Sequence, residues 1–379
     1  MIYFDNAATT KNKPDSVMAA FEYYVREIGV SPGRGSYRAG VEASRMLYQS
    51  RKTIGEYFGL REKTNVVFTK NSTEAINLFF NGILQRGDHV LISCYEHNAV
   101  LRPLHFLKEK GLIDYSVVQR EDLDQDADRI LDKYGKSNTR ILALTLASNL
   151  TGRIVFNRDL MLKAKCRGLI TFVDSSQGAG KIRINMSDDG VDYLAFTSHK
   201  DLLALPGAGG LCCGEKNKIN PLIQGGTGVF GDSYVNPNVF PEGLEAGTLN
   251  MPAIWALKTG VEYVKQHWNE NSEKEQKLIE KLIRGLKEIP HIRIYDENVR
   301  RVSTVGINMD CMPSNELVQY LDENNVAVRG GIHCAVLAHE ALGTVGSGVV
   351  RMSLSSFNTE QEIDEVLEVL RKVGEVKCI

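Results

Sequence analysis

The 379-residue chain, with 43% apolar and 24% charged residues, has the composition of an ordinary globular protein with ample material for a core. Its 45 basic and 47 acidic residues leave a net charge of −2, with no basic stripe carrying interleaved aromatics, so nucleic acid is not expected as a direct ligand. No apolar run approaches the ~20 residues of a membrane span, and the opening MIYFDNAATT lacks a charged stretch followed by an apolar one, so no membrane association and a cytoplasmic location are expected.

In chain order, residues 3–10 (YFDNAATT) are too short and polar for a core strand, and Pro14 precedes a helix over 16–27. Residues 31–40 (SPGRGSYRAG) read as a glycine-rich loop near a ligand or partner, followed by a helix over 41–58. From 65 to 214, β-branched runs at 65–69, 89–93, 115–118, 140–147, 169–173, 193–197 and 209–213 alternate with helical segments. That alternation indicates βαβ units and a mainly parallel sheet covered on both faces, whose ligands bind at the carboxyl ends of the strands. Residues 224–249 lack periodicity and read as a long functional loop. Pro252 opens a helix with the stripe Ile254, Leu257, Val261, Val264 and Trp268, leading to a second lobe. There Leu278, Ile279, Leu282, Ile283 and Leu286 form one apolar helix face, and Thr359 with Glu362 forms a capping box before the last helix. The seven cysteines (Cys94, Cys166, Cys212, Cys213, Cys311, Cys334, Cys378) are spread without a CxxC pair, so no metal site is expected and most read as buried, inert thiols.

Chemistry-bearing residues gather at the strand ends. Lys200 closes the run DYLAFTSHK; poor solvation there lowers an ammonium pKa and frees the amine as a Schiff-base nucleophile, although the stretch taken alone favours a surface lysine beside a strand. Asn71 caps a helix whose first residues Ser72 and Thr73 suit a phosphate, because free N–H groups and the helix dipole point the same way, although the motif alone favours a simply capped helix. Asp174 ends LITFVD, where a buried carboxylate needs a partner such as a protonated ring nitrogen or the following turn. His97, Asn149 and Gln177 follow other strand ends on the same edge.

The motifs NSTEAIN, EHNAV, ASNLTG, VDSSQGAG, TSHK, EAGTLN, RGGIHCA and VRMS…FNT, in this order from Tyr3 to Asn358, resemble the class V aminotransferase superfamily of pyridoxal phosphate enzymes, and within it the group II cysteine desulfurases and selenocysteine lyases. The resemblance implies an α/β, aspartate-aminotransferase-like (fold type I) architecture. A large domain with a mainly parallel sheet would span 15–255, and a smaller α+β domain would comprise 1–14 and 256–379. It implies that Lys200 holds pyridoxal 5'-phosphate covalently, that Asp174 pairs with the ring nitrogen, and that His97 stacks on the ring. Asn149 and Gln177 would serve the ring hydroxyl side, and Ser72, Thr73, Thr197 and His199 the phosphate. Thr248 would reach the partner's phosphate site in a homodimer.

The resemblance further gives Arg351 the substrate α-carboxylate, with Asn6, Arg329 and Asn149 beside it, a task suited to a guanidinium. Cys334 stands where desulfurases carry their nucleophile, and cations at Arg329 and His333 would raise its thiolate fraction. Two departures stand out: Gly33 and Tyr37 replace histidines common in the family loop that retains Arg34 and Arg38, and Val336 replaces a proline, implying a less rigid loop after Cys334. Cys212 and Cys213 stand at family positions that are usually apolar or aromatic, and strand core is the simpler reading. The expected activity is removal of sulfur or selenium from L-cysteine or L-selenocysteine, giving L-alanine and a Cys334-bound persulfide or selenide as cargo for a sulfur-acceptor protein. The rivals are a class V aminotransferase, another lyase or a racemase acting on a small amino acid, and a binding or delivery protein without turnover.

Overall fold

The apolar runs expected between residues 65 and 214 pair into one seven-stranded sheet in a computed structural model, which describes residues 1–33, 35–214 and 219–377. Arg34 and Cys378 lie outside them. After the short β1 (Ile2–Tyr3), the strands are β2 (Val66–Thr69), β3 (His89–Ser93), β4 (Asp114–Val118), β5 (Thr139–Thr145), β6 (Ile170–Asp174), β7 (Tyr193–Thr197) and β8 (Gly209–Cys213), in the order β2-β8-β7-β6-β5-β3-β4. The ladders from β7 across to β4 are parallel, and β8 runs antiparallel to both its neighbours. The carboxyl ends of β2, β3, β5, β6 and β7 therefore share one edge.

Both faces are covered, so the strands are apolar throughout rather than alternating. Leu142, Leu144, Val173, Leu194 and Phe196 enter one core, and Ile141, Ala143, Phe172, Tyr193 and Ala195 enter the other. Cys212 and Cys213 follow the same alternation to opposite faces, as strand core. Phe79, from the helix Ser72–Ile83, stacks on Phe172 with ring centroids 4.4 Å apart.

The second lobe is a four-stranded antiparallel sheet, β12-β13-β10-β9, built from β9 (Ile292–Ile294), β10 (Thr304–Met309), β12 (Arg329–Gly331) and β13 (Val349–Ser353); β11 (Val326–Ala327) pairs in parallel with β1. Leu278, Leu282 and Leu286 of the helix Trp268–Lys287 and Ile363, Val366 and Leu370 of the helix Glu360–Lys377 fill its core. The last helix carries its full capping box: Glu362 N donates to Thr359 Oγ1 at 3.2 Å and Thr359 N to Glu362 Oε2 at 3.0 Å.

Several boundaries differ from expectation. The first helix is α-helical over Asp15–Tyr23 and widens into a π turn over Tyr24–Ile28, ended by Gly29 in the left-handed region, and the next begins at Arg38. The helix Met251–Gln266 stops before Trp268, which opens the next helix. Leu257 and Val261 of the helix Met251–Gln266 pack into the large core. At the N-terminus, Ile2 and Tyr3 form a strand after all and Phe4 is fully buried, because these apolar residues have β11 to pair with. The long loop is anchored where the buried Glu245 takes Arg51 Nη1 at 2.7 Å and Nη2 at 2.5 Å and Phe68 N at 2.6 Å. Cys94, Cys212 and Cys213 are buried thiols, whereas Cys166 and Cys334 are exposed and Cys311 is disulfide-bonded, so fewer of the described cysteines are buried thiols than expected.

Candidate active site

The shared edge of strand ends encloses a pocket lined by Asn71, Ser72, Thr73, His97, Asn149, Asp174, Gln177, Thr197, His199 and Lys200, among others. Nine of the expected residues thus meet in one place. Asn71 caps the helix Ser72–Ile83 by accepting Glu74 N at 2.9 Å, while Glu74 Oε2 accepts Lys70 N at 2.8 Å. That geometry aims the free N-terminal N–H groups at the pocket. Ser72 also braces the floor: Ser176 Oγ lies 2.7 Å from Ser72 Oγ and 2.6 Å from Asp174 Oδ1, which accepts Ser176 N at 2.9 Å. These bonds hold the Asp174 carboxylate, 2% exposed, on one oxygen; the other accepts no hydrogen bond from the described residues.

Lys200 Nζ makes no hydrogen bond or ion pair with the described residues, and burial, opposed by Asp174 and reinforced by Arg351, lowers its pKa. Its backbone is tightly held. Thr10 Oγ1 donates to Lys200 O at 2.9 Å, and Thr10 N, Thr9 Oγ1 and Lys13 Nζ converge on His199 O at 3.0, 3.1 and 2.9 Å. On the far side Asp201 accepts Gly178 N at 2.5 Å and pairs at 3.1 Å with Lys181, which also reaches Glu275 at 3.1 Å and Ser303 Oγ at 2.7 Å. Sequence reasoning missed this strap and this network. The one available signal was an aspartate directly after Lys200.

His97 caps the helix Asn98–Glu109, its Nδ1 accepting Ala99 N at 3.0 Å, so the proton of the neutral ring sits on Nε2. Burial brings its pKa down to about 4, with Lys200, Arg102 and Arg329 adding to the shift and Asp174 opposing it. Burial likewise brings His199 down to about 4. Gln177 Nε2 donates to Ala7 O at 2.8 Å.

Beside His97, Glu96 is another residue the sequence did not flag. Its Oε1 accepts Ser93 Oγ at 2.5 Å and Thr145 N at 2.8 Å, tying β3 to β5, while Oε2 is buried without a partner. Burial pushes its carboxyl up to about 8 from an ordinary 4.5. The native state therefore binds this proton more tightly than the unfolded chain. The resulting stabilisation is complete below the ordinary value and is lost as pH rises through about 8. Glu96→Gln, which keeps the shape but cannot ionise, is expected to gain stability relative to wild type between about pH 5 and about pH 8, by up to ~1.4 kcal/mol per pH unit. Denaturant unfolding across that range checks this, and a difference that stays flat with pH contradicts it.

Cys334 is exposed at the tip of a tight turn. Ala335 N donates to Ile332 O at 3.0 Å, and His333 and Cys334 between them have φ of +52° and +55°, the signature of a type I′ turn made without glycine. The turn hangs on the pocket: Asn149 Nδ2 donates to His333 O at 2.6 Å and Asn98 N to Cys334 O at 2.8 Å. Val336, at the position of the absent proline, opens the helix Val336–Leu342 directly after the turn. His333 is not the expected cation. Burial brings its pKa down to about 3, and its Nε2 lies 2.8 Å from Val349 O, making the ring a neutral strut. Arg329 is exposed and has no ion-pair partner among the described residues; it faces Arg351 across the β12–β13 ladder.

Arg351 is 1% exposed and stands behind the pocket lining, its Nη1 donating to Asn149 O at 3.0 Å and its Nη2 to Asp5 Oδ1 at 2.5 Å. The amide of Asn6 is spent on Ser353 O at 3.0 Å and Asn358 Oδ1 at 3.3 Å, locking the N-terminal segment to β13, outside the pocket. Thr248 is exposed, away from the pocket of its own chain. No group of three or more metal-binding side chains gathers among the described residues, and none of their helices is long and apolar enough to cross a membrane.

Two buried polar atoms of the pocket, Thr197 Oγ1 and Asn149 Oδ1, lack a hydrogen-bond partner, as expected where a polar ligand completes the set. With Lys200 unpaired and Asp174 half-satisfied, the donors and acceptors fit a phosphorylated, aldehyde-bearing pyridine: a helix N-terminus for the phosphate, a carboxylate for the ring nitrogen and an amine for the aldehyde.

Comparison with known proteins points the same way. The family model "Aminotransferase class-V" matches residues 2–366. A probable cysteine desulfurase of Methanothermobacter thermautotrophicus is 31% identical, the alignment covering 98% of this chain and 94% of the relative. Another, from Xylella fastidiosa, is 30% identical over 98% of this chain and 91% of its own length. The apo structure of a cysteine desulfurase from Thermococcus onnurineus superposes with a TM-score of 0.90 at 29% identity, covering 99% of this chain and 94% of that one.

Proposed function

Because the chain belongs to the class-V aminotransferase family and has its fold, we propose that it is a pyridoxal phosphate-dependent cysteine desulfurase, acting on L-cysteine or L-selenocysteine. The observation that carries this reading is the Cys334 turn, whose backbone is bonded to Asn149, which lines the pocket, and to the start of the His97 helix, while its thiol stays exposed. Ser72, Thr73, Thr197 and His199 would hold the phosphate, Asp174 the protonated ring nitrogen, His97 the ring face, and Asn149 and Gln177 the ring hydroxyl side. When bound, the cofactor supplies an electron-accepting ring that makes an amino acid's Cα proton removable.

The chain's own residues do the rest. Arg351, with Arg329 at the rim, binds the substrate carboxylate. The Lys200 amine, whose ammonium form burial disfavours, takes the Cα proton. Cys334 Sγ, giving up its proton, bonds to the substrate sulfur, the Cβ–S bond breaks with its electron pair left on carbon, Cβ takes a proton in place of sulfur and Cα regains the one removed, so that L-cysteine and the thiol become L-alanine and a Cys334 persulfide. A sulfur-acceptor protein would then collect the sulfur. Thr248 and the exposed Phe230, Tyr234 and Val235 of the long loop favour a homodimer in which this loop serves the partner's pocket. We place the protein in the cytoplasm, with a large domain over 15–255 and a small one over 1–14 and 256–379.

The test is a single turnover of holoenzyme with L-cysteine and, separately, with L-selenocysteine. Alanine equimolar with one chalcogen atom on the Cys334 peptide, read by mass spectrometry after alkylation, is expected. Amino-group transfer to a 2-oxo acid, without that mass gain, would establish the aminotransferase instead.

A further inference from the structure

Arg351 offers no free guanidinium face. Nη1 is bonded to the backbone carbonyl of Asn149, Nη2 to Asp5 Oδ1, and Nε is buried without a partner. The Arg351 side chain is 2% exposed and that of Asp5 20%, so the carboxylate stands on the more open side of the pair. The carbonyl of Asn149 is fixed by the chain fold, which leaves Asp5 as the one anionic, displaceable partner among the described residues. Asp5 is moreover the head of the strap that reaches the catalytic lysine, since Thr9, Thr10 and Lys13 hold the carbonyls of His199 and Lys200.

We infer that Asp5 is an internal competitor for the substrate carboxylate, occupying Arg351 in the free enzyme and giving way when an amino acid binds. This rests on the reading of Arg351 as the carboxylate-binding residue. A buried guanidinium without a counter-charge is costly, so the free enzyme needs Asp5. The same pairing lowers the apparent affinity for substrate by the fraction of time that Arg351 is engaged. Asp5 thereby sets substrate affinity and rejects ligands lacking an anionic group strong enough to displace it.

Asp5→Asn keeps the shape and one acceptor but removes the charge. In the holoenzyme its Kd for L-alanine and its KM for L-cysteine are expected to fall about tenfold, with no gain for L-alanine methyl ester, which has no carboxylate. Its melting temperature without ligand should drop, and L-alanine should restore more of it than it adds to wild type. A merely structural role predicts weaker or unchanged binding, and either result overturns the inference. If the variant does not fold, the wild-type holoenzyme crystallised with L-alanine decides: Asp5 withdrawn from Arg351 Nη2 supports the competitor, and an intact Asp5–Arg351 pair refutes it. Wild-type conversion of L-cysteine to alanine is measured alongside. Its absence would count against the proposed function, whereas its presence with unimproved binding in Asp5→Asn would count against the competitor alone.

Discussion

Lys200→Ala is expected to lower alanine formation from L-cysteine by about 10⁴-fold while leaving the fold intact. The amine is unpaired among the described residues and lines the pocket, its backbone held on one side by Thr10 and on the other by the Lys181–Asp201 pair. Those contacts use backbone and neighbouring side chains, so truncating Lys200 removes the reactive nitrogen without loosening its support. Burial disfavours the ammonium, so its removal should leave the cofactor-free melting temperature unchanged or raised, the usual trade between stability and activity. Lys200→Arg separates amine from charge: it keeps a cation but cannot lose a proton near neutral pH, and it should be as inactive as alanine. Turnover within tenfold of wild type in either variant would remove Lys200 from the chemistry.

The seven-stranded sheet was legible because a strand buried on both faces reads as a continuous apolar run, and the pocket was legible because such a sheet gathers its ligands at one edge. Thus His97, Asn149, Asp174, Gln177 and Lys200, each unremarkable alone, could be brought together by strand order. What pairs with them could not. Asp5 and Arg351 are separated by 346 positions, and Lys181 and Ser303 by 122, and a single long-range contact leaves no periodicity behind. Burial inverts chemistry for the same reason. His333 reads as a cation beside Cys334 until the fold encloses it and neutralises it. The apolar stripe through Trp268 concealed the helix break at His267, since the spacing continues across it. Only the chain's three-dimensional return to itself carries this information.

Cys334→Ala is expected to lower persulfide formation and alanine release from L-cysteine by about 10³-fold or more, with cofactor binding unchanged. The turn exposing the thiol explains both halves of that expectation. His333 and Cys334 both occupy the left-handed region, which costs roughly 1–2 kcal/mol per non-glycine residue. Such strain persists only where surrounding contacts enforce it, and here Asn149, Asn98 and Val349 all grip the turn through backbone or ring atoms of His333 and Cys334. The grip does not use the sulfur, so alanine should preserve the turn and the pocket behind it. Cys334→Gly should relieve the strain and raise stability by about 1 kcal/mol while being equally inactive. Selenocysteine provides the finer discrimination. Its selenium leaves carbon more readily than sulfur, so residual alanine formation from L-selenocysteine in Cys334→Ala, with none from L-cysteine, would mark the thiol as the acceptor that sulfur needs. Equal activity of wild type and Cys334→Ala on L-cysteine would instead make the strained turn a structural feature and return the chain to the aminotransferase or lyase alternatives.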